Sequence, residues 1–324
     1  MTKDEAINQG AKLNRRNLPT LKAFQAQFKD EEACRQHFFG LRWPDGPRCP
    51  RCGNAEVKKV KRPWSWQCRK CDKNGYRFSL TTGTVFENTK YPLQIWFQVL
   101  YLMLQSKKGM SALQIHRTIG SGDYRTAWYI CHRIRAAMQS DEIMKLSGEV
   151  EIDETYVGGK NRNRHKSKRV PKRTSKRGGG INCALSDKVT VIGAISRKGN
   201  VVAQVVDSLD AKTTGGFVKK VISDQVELVA TDESSIYNFM KHPGWTLGYP
   251  ALPHESVNHS EEEYVRGKVH TGSIDNFWSL LKRGIMGTFH NVRRDYLPMY
   301  VNEFAFRHNH RNDPAVFDHV LSRS

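Results

Sequence analysis

Apolar positions along the chain follow two spacings, one after the other. From Leu21, the stretch "LKAFQAQFKDEEACRQHFFGLRWPDG" puts Leu21, Phe24, Phe28, Cys34, Phe38 and Leu41 at helical intervals, which predicts a helical lead-in over residues 1–45. Pro92 opens a further helix that runs to about Gln105. Ser111 then caps a short helix with Leu113, Ile115 and Ile119 turned inward, "GSG" at 120–122 breaks it, and Asp123 caps a longer one. In that second helix Ala127, Cys131, Ile134 and Met138 share a face, leaving Tyr124, Arg125, Arg133 and Arg135 outside. A short helix, a glycine turn and a basic second helix make a helix-turn-helix plan over residues 91–145, whose second helix reads the major groove of DNA. A plain helical hairpin produces the same spacing.

From about residue 148 the period changes to two. "GEVEIDETYVGG" sets Val150 and Ile152 on one face and Glu151 and Asp153 on the other. "KVTVIGAISR" and "NVVAQVVDS" are two more β-rich runs joined by the turn "KGN". "DAKTTGGFVKKVISDQ" reads as a helix, "VELVATDES" as a buried strand closing on Asp232, and "NFWSLLKRG" as another helix. Three strands, a helix, a strand and a helix is the order of a ribonuclease H-like α/β domain, a mixed sheet flanked by helices, expected over residues 146–312 with a tail at 313–324. In that order the first and fourth strands lie side by side and bring Asp153 close to Asp232.

Composition narrows the partners. The 324 residues carry 52 Lys and Arg against 32 Asp and Glu, a net charge of +20 that points to a polyanion. Nucleic acid fits; a membrane partner is not expected, because the longest apolar run, "IWFQVLYLML" at 95–104, is too short to span a bilayer. The opening "MTKDEAINQGAKLNRR" has no apolar signal segment, and the seven cysteines do not form a secreted disulfide framework, so a reduced, cytoplasmic protein is expected. Cys34, Cys131 and Cys183 stand alone and read as small buried residues.

The other four cysteines form a motif. Cys49-x2-Cys52 and Cys68-x2-Cys71 are two knuckles joined by a hairpin-length segment, and together they close a tetrahedral four-cysteine Zn2+ site in a zinc ribbon over residues 46–90. Between the knuckles, Lys58, Lys59, Lys61 and Arg62 beside Trp64 and Trp66 suit phosphate contact and base stacking. A ribbon that only staples a subdomain would leave those basic residues as a solvated face.

The acids suggest a different metal chemistry. Phosphodiester cleavage at neutral pH needs a deprotonated water or hydroxyl and stabilised charge on the leaving oxygen, which two Mg2+ (or Mn2+) about 3.5–4 Å apart supply on a few convergent carboxylates. A lone strand-end aspartate is more often a cap or turn residue, but Asp153 and Asp232 in this order make a pair. "SIDNFWSLLKRG" offers a third oxygen ligand from either Asp275 or Asn276. Asp275 shares a helix face with Ser279 and Lys282, whereas Asn276 aligns with Arg283; another reading makes Asp275 only the helix N-cap. Hard Mg2+ gains more from a carboxylate than from an amide, which favours Asp275.

Residues 160–180, "KNRNRHKSKRVPKRTSKRGGG", hold ten Lys or Arg and no acid, and predict a disordered basic insertion. Arg164, Lys168, Arg169, Lys172 and Arg173 are its candidate phosphate contacts, with Arg125, Arg133 and Arg283 elsewhere. His259 and His270 could position DNA or a metal, but read first as satisfied structural histidines.

The stretches "CPRCG" with "CRKC", "FSLTTGTVFENTKYPL", "TAWYICHRIRAAM", "EIDETYVGGK", "VATDES", "VNHSEEEYVRGKVHTGSIDNFWSLLKRGIMGTFHNV" and "YVNEFAFRHNHR" cover most of the chain. Through them it resembles the bacterial insertion-sequence DDE transposases with an N-terminal zinc ribbon, the group whose third catalytic position varies among Glu, Asn and His. The resemblance implies Mg2+-dependent cleavage at element ends and joining of the freed 3'-hydroxyl to target DNA, with Asp153 and Asp232 as the first two acids and Lys282 as the basic residue after the third. At the third position this sequence departs from the commonest form, reading Asp275-Asn276 where Glu is usual. Double-stranded DNA, as element ends and target, is the implied partner, bound by a homodimer or higher assembly at the nucleoid. The rival readings are a zinc-dependent DNA-binding regulator with a relic nuclease domain and a simple nuclease or resolvase.

Overall fold

The computed structural model describes residues 18–72, 74–120, 122–139, 144–159, 165–168, 188–197, 199–240, 252–257 and 269–323. The chain divides into two compact units, Met1–Met138 with His310–Ser324, and Gln139–Asn309. No helix among the described residues is long and apolar enough to cross a membrane.

The first unit is helical around a small sheet. The expected lead-in is two helices, α1 (Leu21–Gln27) and α2 (Glu31–Arg42), because Asp30 ends the first run and caps the second by accepting from the Ala33 amide at 2.8 Å. Strands β1 (Lys58–Lys59), β2 (Ser65–Cys68) and β3 (Tyr76–Ser79) form an antiparallel sheet in the order β1-β2-β3. Helix α3 (Leu93–Gln105) buries eight of its side chains, which is why it reads as apolar nearly all round. Residues 313–324, expected as a tail, contain helix α9 (Val316–Ser322), whose Phe317 ring packs against Phe24, Phe28 and Phe97.

Helices α4 (Ala112–Ile119) and α5 (Tyr124–Ala137) form where expected, with side-chain caps from Ser111 and Asp123 and a left-handed Gly120 between them. Their faces differ in part from the periodicity. Ile115 is buried, but Leu113 is 44% exposed and Ile119 only half-buried, because a two-turn helix buries a narrow stripe. Arg135, expected outside, is 1% exposed. Arg133 is half-buried, donating to the carbonyls of Glu87 and Thr84 and to the Tyr129 hydroxyl with its guanidinium over the Trp96 ring. A long aliphatic stem lets an arginine cross a helix's apolar margin and reach backbone acceptors, which spacing alone does not reveal. Tyr124, Arg125 and Tyr129 are exposed.

The second unit is a mixed α/β domain. Strands β4 (Leu146–Val157), β5 (Val189–Ser196), β6 (Val201–Val206), β7 (Ile222–Thr231) and β8 (His254–Ser256) form one sheet in the order β6-β5-β4-β7-β8. The pairs β6-β5 and β5-β4 are antiparallel, whereas β4-β7 and β7-β8 are parallel, so the first and fourth strands of the unit are neighbours. Helix α6 (Ala211–Val221), capped by Asp210, stops earlier than the apolar run suggests because Ile222 already belongs to β7. Val150 and Ile152 pack with Phe217, Val218, Tyr237 and Met240 on one side of the sheet. On the other side Val191, Ile195 and Val201 pack against Ile274, Trp278 and Leu281 of helix α7 (Gly272–Gly284) and against Val301 and Phe304 of helix α8 (Leu297–Asn309).

Candidate functional site

The alternation of β4 sends Glu151 and Asp153 toward α7, away from the Val150 and Ile152 core. In the parallel ladder Glu151 stands opposite Ala230, and two residues further along both strands come Asp153 and Asp232. Asp232 follows the last β7 residue and accepts from the Ser234 amide at 3.1 Å, which fixes the turn. Asp275 lies on α7, whose N-cap is Thr271, so it sits one turn inside the helix and is not the cap. The Thr271 hydroxyl donates to its carboxylate at 3.2 Å.

Asp153 feels the charges of the other two aspartates. Burial pushes the Asp153 carboxyl up to about 7, and the negative charges of Glu154, Asp232 and Asp275 add to the effect. A divalent cation would relieve the repulsion that Asp153 feels. The donors are hard oxygens, so the arrangement fits Mg2+ or Mn2+.

Two supports appear that periodicity did not single out. The Trp278 indole N–H donates to Asp153 Oδ2 at 2.9 Å. Its ring lies over Gly193, the β5 partner of Asp153, where a Cβ would come within 2.6 Å of the indole. Glycine there leaves the space that lets the indole reach across the strand. Glu154, next to Asp153, accepts from the buried Tyr237 hydroxyl at 2.8 Å, and burial raises its carboxyl.

Glu151 ties the second element to the first. Its fully buried carboxylate accepts from the amides of Ser273 at 2.7 Å and Ile274 at 3.0 Å, two of the orphan donors of α7's first turn. Arg197 Nε at 3.0 Å and His270 Nδ1 at 3.2 Å complete its shell, and Arg197 also pairs with Glu149. His270 is thus part of the shell that holds Glu151. The helix that carries Asp275 is anchored by its N-terminus to the strand that carries Asp153. The alternating pattern put Glu151 beside Asp153 but gave no sign of a partner more than a hundred residues away.

Asn276, Lys282 and Arg283 are exposed on α7, with Arg283 Nε bonded to the Ser279 carbonyl at 3.1 Å. Asp275 and Lys282 lie two helical turns apart and are both exposed. Arg164, Arg169, Lys172, Arg173, Cys183 and His259 lie outside the described residues, as does most of the basic insertion; of Lys168 only the backbone is described, in a short turn at Lys166–Lys168.

The ribbon gathers soft ligands. The Sγ atoms of Cys49, Cys52, Cys68 and Cys71 lie within 4.8 Å of one another, with Cys49 to Cys71 at 3.5 Å and Cys52 to Cys68 at 3.8 Å. Thiolates about 2.3 Å from zinc stand about 3.8 Å apart in a tetrahedron, so the four fit the ion. Lys58, Lys59, Lys61 and Arg62 are exposed. The two tryptophans are less open than expected. Trp66 is buried against Trp43 and Phe39, and Trp64 is half-buried with its N–H on Glu32 at 3.1 Å, because the short sheet uses them to cover α2.

The chain matches two family models: the ISXO2-like transposase domain over residues 145–309 and the transposase zinc-ribbon domain over residues 29–74. It is 28% identical over 275 residues to an uncharacterized protein in transposable element ISH50 of Halobacterium salinarum, a similarity that covers 82% of this chain and 87% of the relative. No solved structure matches.

Proposed function

Since the chain belongs to the ISXO2-like transposase family and carries a transposase zinc ribbon, we propose that it binds the terminal inverted repeats of an insertion sequence and catalyses Mg2+-dependent DNA cleavage and strand transfer. The observation that carries this reading is that Asp153 feels the negative charges of Asp232, at the end of the neighbouring parallel strand, and of Asp275, on the helix anchored to its own strand. The sheet order β6-β5-β4-β7-β8, antiparallel on one side of β4 and parallel on the other, supports a ribonuclease H-like fold for this unit.

In this reading Asp153, Asp232 and Asp275 hold two divalent cations. When bound, these supply a deprotonated nucleophile and neutralise charge on the leaving oxygen. The chain's own residues do the positioning. Trp278 holds the Asp153 carboxylate, Tyr237 holds Glu154, and Glu151 fixes the start of α7. Lys282, exposed on the helix that carries Asp275, meets a phosphate near the scissile bond. Asn276 is the alternative third ligand. The exposed Lys58, Lys59, Lys61 and Arg62 of the ribbon, Arg125 of α5, Arg283 of α7 and the basic insertion give salt-sensitive contact to the DNA backbone. Arg133, occupied by three internal acceptors, is withdrawn from that set. Two element ends must be paired, which calls for a dimer or larger assembly on DNA in the cytoplasm, at the nucleoid.

Purified full-length protein, Mg2+ and a duplex bearing the element's ends test the reading. Nicked and joined products are expected, and Asp153→Asn, Asp232→Asn and Asp275→Ala should abolish both while Asn276→Ala only weakens them. Activity untouched by Asp153→Asn would overturn the enzyme assignment. Hydrolysis without joined ends would point to a nuclease, and loss with Asn276→Ala but not Asp275→Ala would exchange their roles.

A further inference from the structure

The C-terminal segment of the first unit holds a second set of metal-ligating side chains that the transposase reading does not use. His310 Nδ1 lies 3.1 Å from Asp313 Oδ2, and His319 Nδ1 lies 2.7 Å from the same oxygen. One donor atom from each residue lies within 4.8 Å of the other two. The other carboxylate oxygen, Oδ1, accepts from the Ala315 amide at 2.9 Å, and the Asp313 amide donates to the His310 carbonyl at 3.2 Å. These bonds fix the carboxylate, so its Oδ2 faces the two imidazoles.

We propose that His310, Asp313 and His319 form a second divalent-metal site, of the Zn2+ class, that clips the loop before α9 to the helix itself. Two imidazole nitrogens and one carboxylate oxygen suit zinc and its neighbours in the transition series far better than Mg2+, which wants oxygen alone. Ligands about 2.0–2.1 Å from a tetrahedral ion stand about 3.3–3.4 Å apart, so the 3.1 Å and 2.7 Å separations of the ion-free site would open by a few tenths of an ångström on binding. The turn that leads into α9 needs only Oδ1, so it does not account for two histidines on the opposite oxygen. His319 is about half exposed on its side chain, at 48%, which leaves solvent access for the remaining coordination positions. The clipped helix carries Phe317, so the ion would hold that ring in the cluster of Phe24, Phe28 and Phe97. The role is structural and separate from the aspartates of the other unit.

The test uses the full chain, saturated with zinc, dialysed and assayed for metal. Two equivalents per chain are expected in the wild type and one in the His310→Gln/His319→Gln double variant. With Co2+ in place of zinc, the intense thiolate-to-cobalt band of the ribbon should be the same in both proteins, which also reports that the variant has folded, while the weak ligand-field absorption of a nitrogen and oxygen site disappears. The variant should also lose the thermal stabilisation that the second equivalent gives the wild type. One equivalent in the wild type would overturn the proposal, since the residues would then be a hydrogen-bonded turn. So would two equivalents in both proteins, which would place the second ion elsewhere.

Discussion

The four cysteines of the ribbon and the three aspartates proposed to hold Mg2+ in the second unit come together in opposite ways. The cysteines lie within 23 consecutive residues, Cys49 to Cys71, and neighbouring knuckles already present them in pairs. The aspartates come from β4, from the end of β7 and from α7, and only the fold brings them together. Locally encoded ligands can let a metal organise the chain around it. Ligands supplied by distant elements need a scaffold that is already rigid, because their mutual repulsion must be borne before any cation arrives.

The largest expected effect breaks the first half of that contrast. Cys68→Ser removes one of four thiolates from a buried position, and structural zinc of this type supplies roughly 10–16 kcal/mol of binding free energy to a small fold. Loss of the ribbon's zinc and rapid proteolysis within residues 46–90 are expected, while the second unit keeps its far-UV signal and its protease resistance. A ribbon that stays protected without zinc would show that its tryptophan packing, not the metal, holds it.

Glu151→Ala addresses the other half. It strands two helix N–H groups, the Arg197 guanidinium and the His270 ring around a fully buried carboxylate, and breaking such a buried charged network costs about 3–5 kcal/mol. The urea midpoint of the second unit should fall accordingly. Mn2+ should also bind more weakly to whatever fraction remains folded, since α7 loses its tether to β4. Glu151→Gln keeps an acceptor and should recover part of both. Unchanged Mn2+ affinity in a destabilised Glu151→Ala protein would mean that Glu151 serves the core and not the spacing of the acids.

What the sequence made legible follows the same division. The cysteine knuckles, the Ser111 and Asp123 caps and the alternation of β4 depend on neighbours within a few residues, and each appears in the fold as the spacing predicts. The adjacency of Asp153 and Asp232 could be anticipated because strand order constrains which strands can pair. The burial of Arg135, the internal bonds of Arg133 and the reach of Glu151 to Ser273 could not, because each depends on which surface meets which across long stretches of chain. Trp278 is an intermediate case. Its apolar spacing foretells burial, but its bond to Asp153 depends on the missing side chain at Gly193.

The smallest expected effect is a matter of protons. In the folded chain the Asp153 carboxyl is held up to about 7, first by burial and then by its neighbouring carboxylates, whereas its ordinary value is 3.8. Between those two values the metal-free native state therefore binds more protons than the unfolded state, so its stability should fall as pH rises through that window and level off above about 7. A divalent cation competes with the same proton, so its affinity should drop by up to about tenfold per pH unit below about 7 and stay constant above it. The ribbon's thiolates also gain protons on acidification, but an ion bound many orders of magnitude more tightly stays bound over the same span. Calorimetric Mn2+ titrations from pH 5.5 to 8.5, with zinc content measured alongside, separate the two sites. Asp153→Asn should remove the slope in metal-free stability and leave the ribbon's zinc unchanged; a slope that survives would assign the shifted proton to Glu154, whose carboxyl burial also raises.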